Sequence, residues 1–321
     1  MNRRPELEEH VFRIPMRTRF RGTTVREGVL LRGSVGWGEF SPFSDYPPAV
    51  AAPWLRAAVE AAEEDWPPAL RDLVPVNVTI PAVDPATASR LAREGGCRTA
   101  KVKVGEPGQS LDDDVARVEA VRDALGDGGR IRVDANGAWD VDTAEVAVRA
   151  LDQAAGELEY VEQPCATVEE LAAVRRRVDV PIAADESIRR AEDPYRVRAL
   201  AAADIAVLKV QPLGGVRACL RIAEDIELPV VVSSALETSV GIAAGVALAA
   251  ALPELPFACG LATVQLLTDD VTTIPLRPVD GALPVLRPVV DEAKLAALGG
   301  APDLLDSWRT RLAAVRAVSR A

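Results

Sequence analysis

The sequence predicts an α/β fold, a modified (β/α)8-type (TIM-like) barrel with an α+β capping domain. Short runs rich in β-branched residues recur about every 25 residues from residue 74 onwards, and Ala-, Arg- and Glu-rich segments with helical spacing separate them. Eight such runs in about 200 residues favour a closed barrel over an open doubly wound sheet. The first 75 residues lack this rhythm, so we expect them to form a separate unit.

This N-terminal unit, residues 1–75, is predicted to be the capping domain. Residues 25–31 and 34–39 have the composition of two strands joined at Gly33, and the turn-rich segment SPFSDYPP follows them. A helical segment is predicted over residues 51–65. The end of the chain, residues 286–321, is rich in proline and then helical over residues 302–318, and we expect it to pack back on the capping domain.

Residues 76–285 are predicted to form the barrel. No GxGxxG sequence follows its first strand and no GxxxxGK[ST] sequence occurs, which argues against a nucleotide-binding sheet. The eight runs predicted to form strands are residues 74–80, 99–105, 130–137, 158–164, 181–187, 204–212, 229–237 and 257–265.

Composition argues against several classes of function. The chain has 321 residues and a formal net charge of −11, which does not suit an electrostatic grip on nucleic acid or docking onto an anionic membrane. Its single histidine, His10, argues against Ser-His-Asp triads and histidine-based zinc sites. Hydrophobic residues make up 49% of the chain, enough for a large core.

The cysteines and the apolar runs predict a cytoplasmic protein. Four cysteines lie far apart without a CxxC pair, as expected of reduced and buried thiols. The first residues, MNRRPELEEH, precede no apolar segment of the kind found in signal peptides. The longest apolar run, residues 240–252, is too short for a membrane span, which needs about 20 residues.

Ionisable side chains stand near the carboxyl ends of five successive predicted strands. Because active sites in this fold are built at that end of the barrel, we expect these groups to converge on one site. The two lysines of the second strand share one face, and so do the aspartate and the asparagine of the third. The residues are Lys101, Lys103, Asp134, Asn136, Glu162, Asp185 and Lys209.

The three carboxylates predict a site for a divalent cation. Asp134, Glu162 and Asp185 on adjacent strands would repel one another strongly unless a cation neutralised them. Oxygen ligands without histidine or thiolate suit a hard cation, and Mg²⁺ fits because it keeps positions open for substrate oxygens. Lysines on both sides of the carboxylates indicate proton transfer at carbon, because burial and nearby cations lower the pKa of an amine towards ~7–8.

The combined motifs resemble a known family. KVKV, RVDANGAW, EYVEQP, IAADES and LKVQPLGG, in this order and spacing, resemble the muconate-lactonizing subgroup of the enolase superfamily over essentially the whole chain. Within that subgroup the chain is most similar to the o-succinylbenzoate synthases. The segments GWGEFSPFSDY and SSALETSVG and the short chain support this resemblance, and residues 257–267 lack the Asp-x-Asp that is usual in dipeptide epimerases.

The resemblance implies a reaction and a role for each site residue. The substrate would be a small dianionic cyclohexadiene carboxylate, dehydrated in a syn manner during menaquinone biosynthesis. Mg²⁺ would be held by the three carboxylates, as is usual for sites of this superfamily. The resemblance implies that Lys103 is both base and acid, and that Lys209 stabilises charge or transfers a proton on the opposite face. Ser233 and Ser234 would contact the succinyl carboxylate. Lys101 and Asn136 would support Lys103 and Asp134.

Two other functions stay open at this point. An N-acylamino acid racemase or dipeptide epimerase of the same subgroup would share both lysines and all three carboxylates. A catalytically idle barrel used for binding would be expected to lose at least one of the five core residues, and all five are present. Arginines of the capping domain, at positions 13, 17, 19 and 21, are further candidates for attracting a dianionic substrate. The sequence leaves the oligomeric state open, a monomer included, and predicts no nucleic-acid or membrane partner.

Overall fold

The fold is known from a computed structural model that describes residues 7–20, 22–189 and 194–319. The chain opens with a three-stranded antiparallel sheet of order β1-β2-β3, followed by a helix. Strand β1 alternates Arg with apolar residues and adds a third strand to the predicted hairpin. These first elements are β1 (Glu8–Phe20), β2 (Thr23–Arg32), β3 (Trp37–Phe40) and α1 (Pro48–Glu63).

The following region alternates strands and helices, as the sequence predicts. Its elements are β4 (Leu73–Pro75), β5 (Val78–Ile80), α2 (Pro85–Glu94), β6 (Thr99–Lys103), α3 (Leu111–Leu125), β7 (Arg130–Asp134), α4 (Val141–Ala155), β8 (Leu158–Glu162), α5 (Val168–Arg175), β9 (Ile182–Ala184), α6 (Glu186–Arg189), α7 (Arg196–Ala199), β10 (Ile205–Lys209), α8 (Val210–Leu213), α9 (Val216–Ile226), β11 (Val230–Ser233) and α10 (Ser239–Ala251). A 3-10 helix (Thr263–Leu266), β12 (Ala282–Pro284), α11 (Glu292–Leu298) and α12 (Pro302–Ser319) complete the chain.

In the described part of the chain, seven parallel strands form one curled sheet in the order β11-β10-β9-β8-β7-β6-β5. Isolated bridges pair Ser233 with Gly260 and Val76 with Cys259, so the short segment 259–260 joins the two edges of the sheet. The predicted barrel with a capping domain is therefore confirmed, but the predicted eighth strand is wrong in extent. Beyond Gly260 the chain turns into the 3-10 helix instead of continuing along its neighbours.

Two hydrophobic clusters show how the elements pack. The larger one fills the space between the barrel strands and their surrounding helices, and it includes most of the almost fully buried helix α10. A second cluster joins β2, β3 and α1 to Trp308, Leu312 and Val315 of α12, so the end of the chain packs against the N-terminal elements. The domain boundaries themselves stay a prediction. No helix of the described residues has both the length and the apolar character that crossing a bilayer requires.

Gly38 lies where strand β3 crosses helix α1 most closely. A Cβ atom at this position would stand 1.8 Å from the backbone carbonyl oxygen of Ala58. Because backbone cannot move aside as a flexible side chain can, we expect Gly38→Ala to lower the free energy of unfolding by about 1–3 kcal/mol, the usual cost of overpacking. Urea denaturation measures the change.

Gly36→Ala is the matched control for this prediction. A Cβ at Gly36 would be 3.0 Å from the end of the flexible Arg287 side chain, so we expect a much smaller loss of stability. Equal unfolding free energies for the Gly38→Ala variant and the unmodified chain would contradict the close approach of β3 to α1.

Candidate active site

The predicted site residues converge at the carboxyl ends of the barrel strands. Strands β6, β7, β8, β10 and β11 each end on a predicted residue, and Asp185 directly follows β9. Glu162 and Asp185 contact the lysines of one cleft from within the barrel. The seven predicted residues that line this cleft are Lys101, Lys103, Asp134, Asn136, Lys209, Ser233 and Ser234.

Lys101 connects two of the three carboxylates. Its Nζ atom donates to both carboxylate oxygens of Glu162, at 3.0 and 2.9 Å, and lies 3.3 Å from Oδ2 of Asp134. Burial acts against the ammonium charge, but the carboxylates of Glu162 and Asp134 raise the pKa of Lys101 above its usual range. Lys101 therefore stays charged and is not suited to act as a base.

The pKa of Lys103 shifts in the opposite direction to that of Lys101. Its Nζ donates to Oδ2 of Asp134 and to Oδ1 of Asn136, both at 2.5 Å. Burial, together with the positive charge of Lys101, lowers the pKa of Lys103 below its usual value in spite of Asp134. Of the two lysines on β6, Lys103 is thus the one with the lowered pKa and the better suited to proton transfer.

The carboxylates share charge unequally. Burial acts against the charge of Asp134, but Lys103, Lys101 and Lys209 together hold its pKa well below the usual range. Glu162 has Lys101 on its oxygens, but burial and the neighbouring Asp134 raise the pKa of Glu162 to about 7. The three carboxyl groups thus share one buried site with three lysines and Arg189, and their pKa values diverge according to which of these cations each one contacts.

Asp185 and Lys209 form the other side of the site. Nζ of Lys209 donates to Oδ2 of Asp185 at 2.6 Å, and Nε of Arg189 donates to Oδ1 at 2.9 Å. Burial acts against the charge of Asp185, yet Arg189 and Lys209 hold its pKa well below the usual range. Three strands separate β10, which carries Lys209, from β6, which carries Lys103, so the two lysines enter the cleft from different sides.

One end of the cleft is lined by hydroxyl groups. The Oγ atom of Ser234 and Oγ1 of Thr263 are 2.7 Å apart, and Ser233 pairs with Gly260 beside them. Thr79 lines the same cleft, and among the described residues its buried Oγ1 has no hydrogen-bond partner. A buried hydroxyl without a protein partner is available to a polar group of a ligand or to a water molecule in the cleft.

Sequence reasoning missed Gln163, which helps to hold the site together, although it predicted Asn136. Gln163 follows β8 with a φ of 42°, and its Oε1 accepts hydrogen bonds from the backbone N–H groups of Asp185, at 3.0 Å, and Ser187, at 3.2 Å. Asn136 has a φ of 49°, a left-handed conformation that is uncommon outside glycine. Such backbone strain tends to occur at functional sites, and for Gln163 the side-chain amide in VEQP was the available signal.

The sequence nominated four arginines of the capping domain, and the three that the structure describes do not line the cleft. Arg13 is half-exposed and lies 3.3 Å from Glu27, and Arg17 donates to the backbone oxygen of Leu267 at 3.0 Å. Arg19 is not among the lining residues either, and Arg21 lies outside the described residues. None of the three described arginines is therefore a lining residue of the cleft, and their part in attracting the substrate stays a prediction. Capping-domain residues that do line the cleft are Phe20 and Phe43.

The donor set fits a hard divalent cation in its chemistry. Asp134 and Glu162 pair in register at the ends of β7 and β8, and Asp185 follows the next strand. Carboxylate oxygens are the ligands that Mg²⁺ prefers. Within residues 7–20, 22–189 and 194–319, no three Asp, Glu, His or Cys side chains stand together as a ready coordination shell. Each of these carboxylates also has a lysine ammonium group on at least one oxygen, so the site holds both kinds of charge that the predicted chemistry uses.

Two family profiles match the chain. The profile described as Enolase C-terminal domain-like matches residues 85–288, and the one described as Enolase N-terminal domain-like matches residues 11–62. The chain is 67% identical over 306 residues to an o-succinylbenzoate synthase of Thermobifida fusca (strain YX), and the aligned region covers 95% of each protein. It is 59% identical to an o-succinylbenzoate synthase of Mycolicibacterium smegmatis, covering 96% of this chain and 95% of that protein.

Solved structures share the fold at lower identity. Muconate lactonizing enzyme from Pseudomonas putida superimposes with a TM-score of 0.76 at 22% identity, covering 93% of this chain and all of that one. The L-Ala-D/L-Glu epimerase from Bacillus subtilis superimposes with a TM-score of 0.75, also at 22% identity, covering 90% of this chain and 98% of that one. At this level of identity the likeness concerns the fold alone.

Proposed function

Because the chain belongs to the o-succinylbenzoate synthase family of the enolase superfamily, we infer that it dehydrates 2-succinyl-6-hydroxy-2,4-cyclohexadiene-1-carboxylate to 2-succinylbenzoate. The reaction is a carbon–oxygen hydro-lyase step of menaquinone biosynthesis. It begins with removal of the proton α to a carboxylate and ends with loss of the neighbouring hydroxyl group as water. The ring becomes aromatic in the second step, which makes proton removal the difficult one.

We assign proton removal to Lys103. Burial and the nearby charge of Lys101 lower its pKa, which favours the neutral amine that a base requires, and its position between Asp134 and Asn136 fixes the direction of the Nζ atom. The proton then returns from the same Nζ to the departing hydroxyl group, so that water leaves and the proton count balances. Because a syn elimination uses one face of the ring, a single lysine serves as base and acid.

Lys209 faces the substrate from the other side of the barrel. Its Nζ is held by Asp185 at 2.6 Å, so it stays close to the carboxylates and presents a fixed positive charge. We propose that this charge stabilises the dianion that proton removal leaves on the substrate. In a racemase the same position would have to transfer a proton, which is a testable difference between the two functions.

The three carboxylates are proposed to hold Mg²⁺. Enzymes of the enolase superfamily depend on this ion in general. The residues that would bind it are Asp134, Glu162 and Asp185, with Lys101 and Asn136 keeping Glu162 and Lys103 in place. When bound, Mg²⁺ supplies positive charge to the oxygens of the reacting carboxylate and so makes the neighbouring proton more acidic.

The succinyl arm is proposed to end in the hydroxyl-lined part of the cleft. Ser233 and Ser234 offer hydroxyl donors there, and Thr79 adds one that has no protein partner among the described residues. With Lys103 and Lys209 at the reacting end, the cleft is polar at both ends, which suits a dianion whose two carboxylates are far apart. Since the cysteines are free, buried thiols, we place the reaction in the cytoplasm. The sequence and fold leave the oligomeric state open.

The single observation that carries this function is the 67% identity to an o-succinylbenzoate synthase over 95% of the chain. The pairing of Lys103 with Asp134 in the cleft across from Lys209 supports proton transfer, which a racemase would share. An absorbance assay tests the function. The purified protein is mixed with the cyclohexadiene substrate and Mg²⁺, and we expect the diene absorbance to disappear as 2-succinylbenzoate forms. EDTA should stop the reaction, and added Mg²⁺ should restore it.

The same protein is then mixed with N-acylamino acids in D₂O to test the alternative function. Exchange of the α-hydrogen without any dehydration of the cyclohexadiene would favour the racemase over the proposed synthase. Full dehydration in EDTA would contradict the proposed metal while leaving the reaction in place.

A further inference from the structure

The segment between β11 and α10 forms one wall of the cleft, and its backbone is strained. Ser233, Ser234, Ala235 and Leu236 line the cleft in succession. Leu236 has a φ of 65°, in the left-handed region that a branched side chain rarely adopts. Such a conformation persists only where surrounding contacts impose it.

Arg26, on strand β2 of the N-terminal sheet, supplies these contacts. The side chain is 3% exposed. Its Nε donates to the backbone oxygen of Leu236 at 2.7 Å, and its Nη2 donates to that of Ala235 at 3.3 Å. The same Nη2 donates to Ser41, both to its backbone oxygen and to Oγ, the latter at 2.8 Å. One guanidinium group thus joins the loop after β3 to the wall of the cleft.

Glu39 holds the other end of the same segment. Its Oε2 accepts hydrogen bonds from the backbone N–H groups of Thr238, at 3.0 Å, and Gly241, at 3.1 Å, and from Oγ1 of Thr238 at 2.6 Å. Oγ of Ser41 donates to Oε1 of Glu39 at 2.6 Å. The N-terminal sheet therefore binds the carbonyl groups of the segment through Arg26 and its N–H groups through Glu39, and Ser41 links the two.

Arg26 also supports a second part of the cleft. Its guanidinium group lies 4.8 Å from the centre of the Phe43 ring, and Phe43 lines the cleft. Arg26 itself is not among the residues that line the cleft. A residue with contacts to two walls, and none to the space between them, acts by shaping that space.

We propose that Arg26 is a positioning residue that sets the shape of the cleft wall from Ser233 to Leu236 for the succinyl carboxylate of the substrate. This inference rests on the proposed function, because it takes the succinyl arm to end at that wall. Loss of Arg26 should therefore weaken recognition of that carboxylate. It should change little at the reacting end, because the hydrogen bonds of Arg26 go to Leu236, Ala235 and Ser41.

The test compares two ligands in one variant. Affinities are measured by calorimetry for 2-succinylbenzoate and for 2-butanoylbenzoate, in which a methyl group replaces the terminal carboxylate. In the unmodified chain the first should bind more tightly. In Arg26→Gln we expect the ratio of the two affinities to fall at least tenfold, the KM of the substrate to rise by a similar factor, and kcat to change less than threefold.

Arg13→Gln is the matched control, because Arg13 is a half-exposed arginine of the same sheet. It should leave the affinity ratio unchanged. If Arg26→Gln does not fold, Ser41→Ala decides instead. It removes the hydroxyl group between Arg26 and Glu39, and we expect the ratio to fall about threefold.

An unchanged ratio in the folded Arg26→Gln variant, or in Ser41→Ala where that variant decides, overturns the positioning role. Failure of the proposed function is a separate outcome, because it shows as absent dehydration by the unmodified chain. A fall in kcat with an unchanged affinity ratio would also overturn the proposal, since it would place the effect of Arg26 at the reacting end.

Discussion

Lys103→Ala is expected to lose dehydration by a factor of about 10³ or more. General acid–base catalysis by a positioned group contributes about 10²–10⁴-fold, and Lys103 is assigned both the removal and the return of the proton. Lys101, the other lysine of β6, cannot replace it, because Glu162 and Asp134 keep Lys101 charged. The measurement is kcat with the cyclohexadiene substrate at saturating Mg²⁺.

Lys209→Arg is the partner variant of this experiment. Arginine keeps the positive charge but does not give up a proton in proteins. We therefore expect this variant to lose far more of any racemase activity than of dehydration, and the ratio of the two activities in one preparation corrects for misfit of the larger side chain. Substantial dehydration by Lys103→Ala, or α-hydrogen exchange at both faces in Lys209→Arg, would contradict the assigned roles.

Asp185→Asn is expected to abolish most of the activity, with a loss of at least about 10²-fold. The amide keeps the size of the side chain but removes the negative charge that Lys209 and Arg189 now contact. It also removes one of the three proposed metal ligands, and changes even to the supports of such ligands weaken metal binding by about 10–100-fold. Calorimetric titration with Mg²⁺ measures that loss independently of turnover.

Asp142→Asn is the control for this variant. Asp142 lies on α4 with its side chain 90% exposed, so the same chemical change there should leave metal affinity and turnover unchanged. Circular dichroism should show both variants folded. Unaltered Mg²⁺ affinity in Asp185→Asn would exclude Asp185 from the ligand set.

Much of the site is readable from the chain because of the fold's regularity. In a parallel barrel the last residues of every strand lie at the same end of the barrel. A charged residue at the carboxyl end of a predicted strand is therefore expected at that end. Lys103, Asp134, Glu162 and Lys209 each occupy the last position of a strand in the structure. Their convergence needed only the strand pattern and the spacing.

Other features depend on pairings that no local pattern contains. The contact of Arg26 with Leu236 joins residues 210 positions apart, and in the sequence Arg26 is an arginine beside Glu27 with no local sign of burial. The sequence offered other arginines as candidates, among them Arg13, which the structure places in an exposed pair with Glu27. Which arginine is buried depends on how the N-terminal sheet meets the barrel.

The sequence by itself determined the fold class, the end of the barrel that carries the site and the residue types gathered there, because hydrophobic period and strand spacing are local properties. The resemblance implies different roles for Lys101 and Lys103, and only the tertiary structure gives the physical reason for the difference. Lys101 and Lys103 are two residues apart on one strand, yet their pKa values shift in opposite directions. Glu162 raises the pKa of Lys101, whereas burial and the positive charge of Lys101 lower the pKa of Lys103. A pKa depends on distances and desolvation, and both exist only once the strands are packed together.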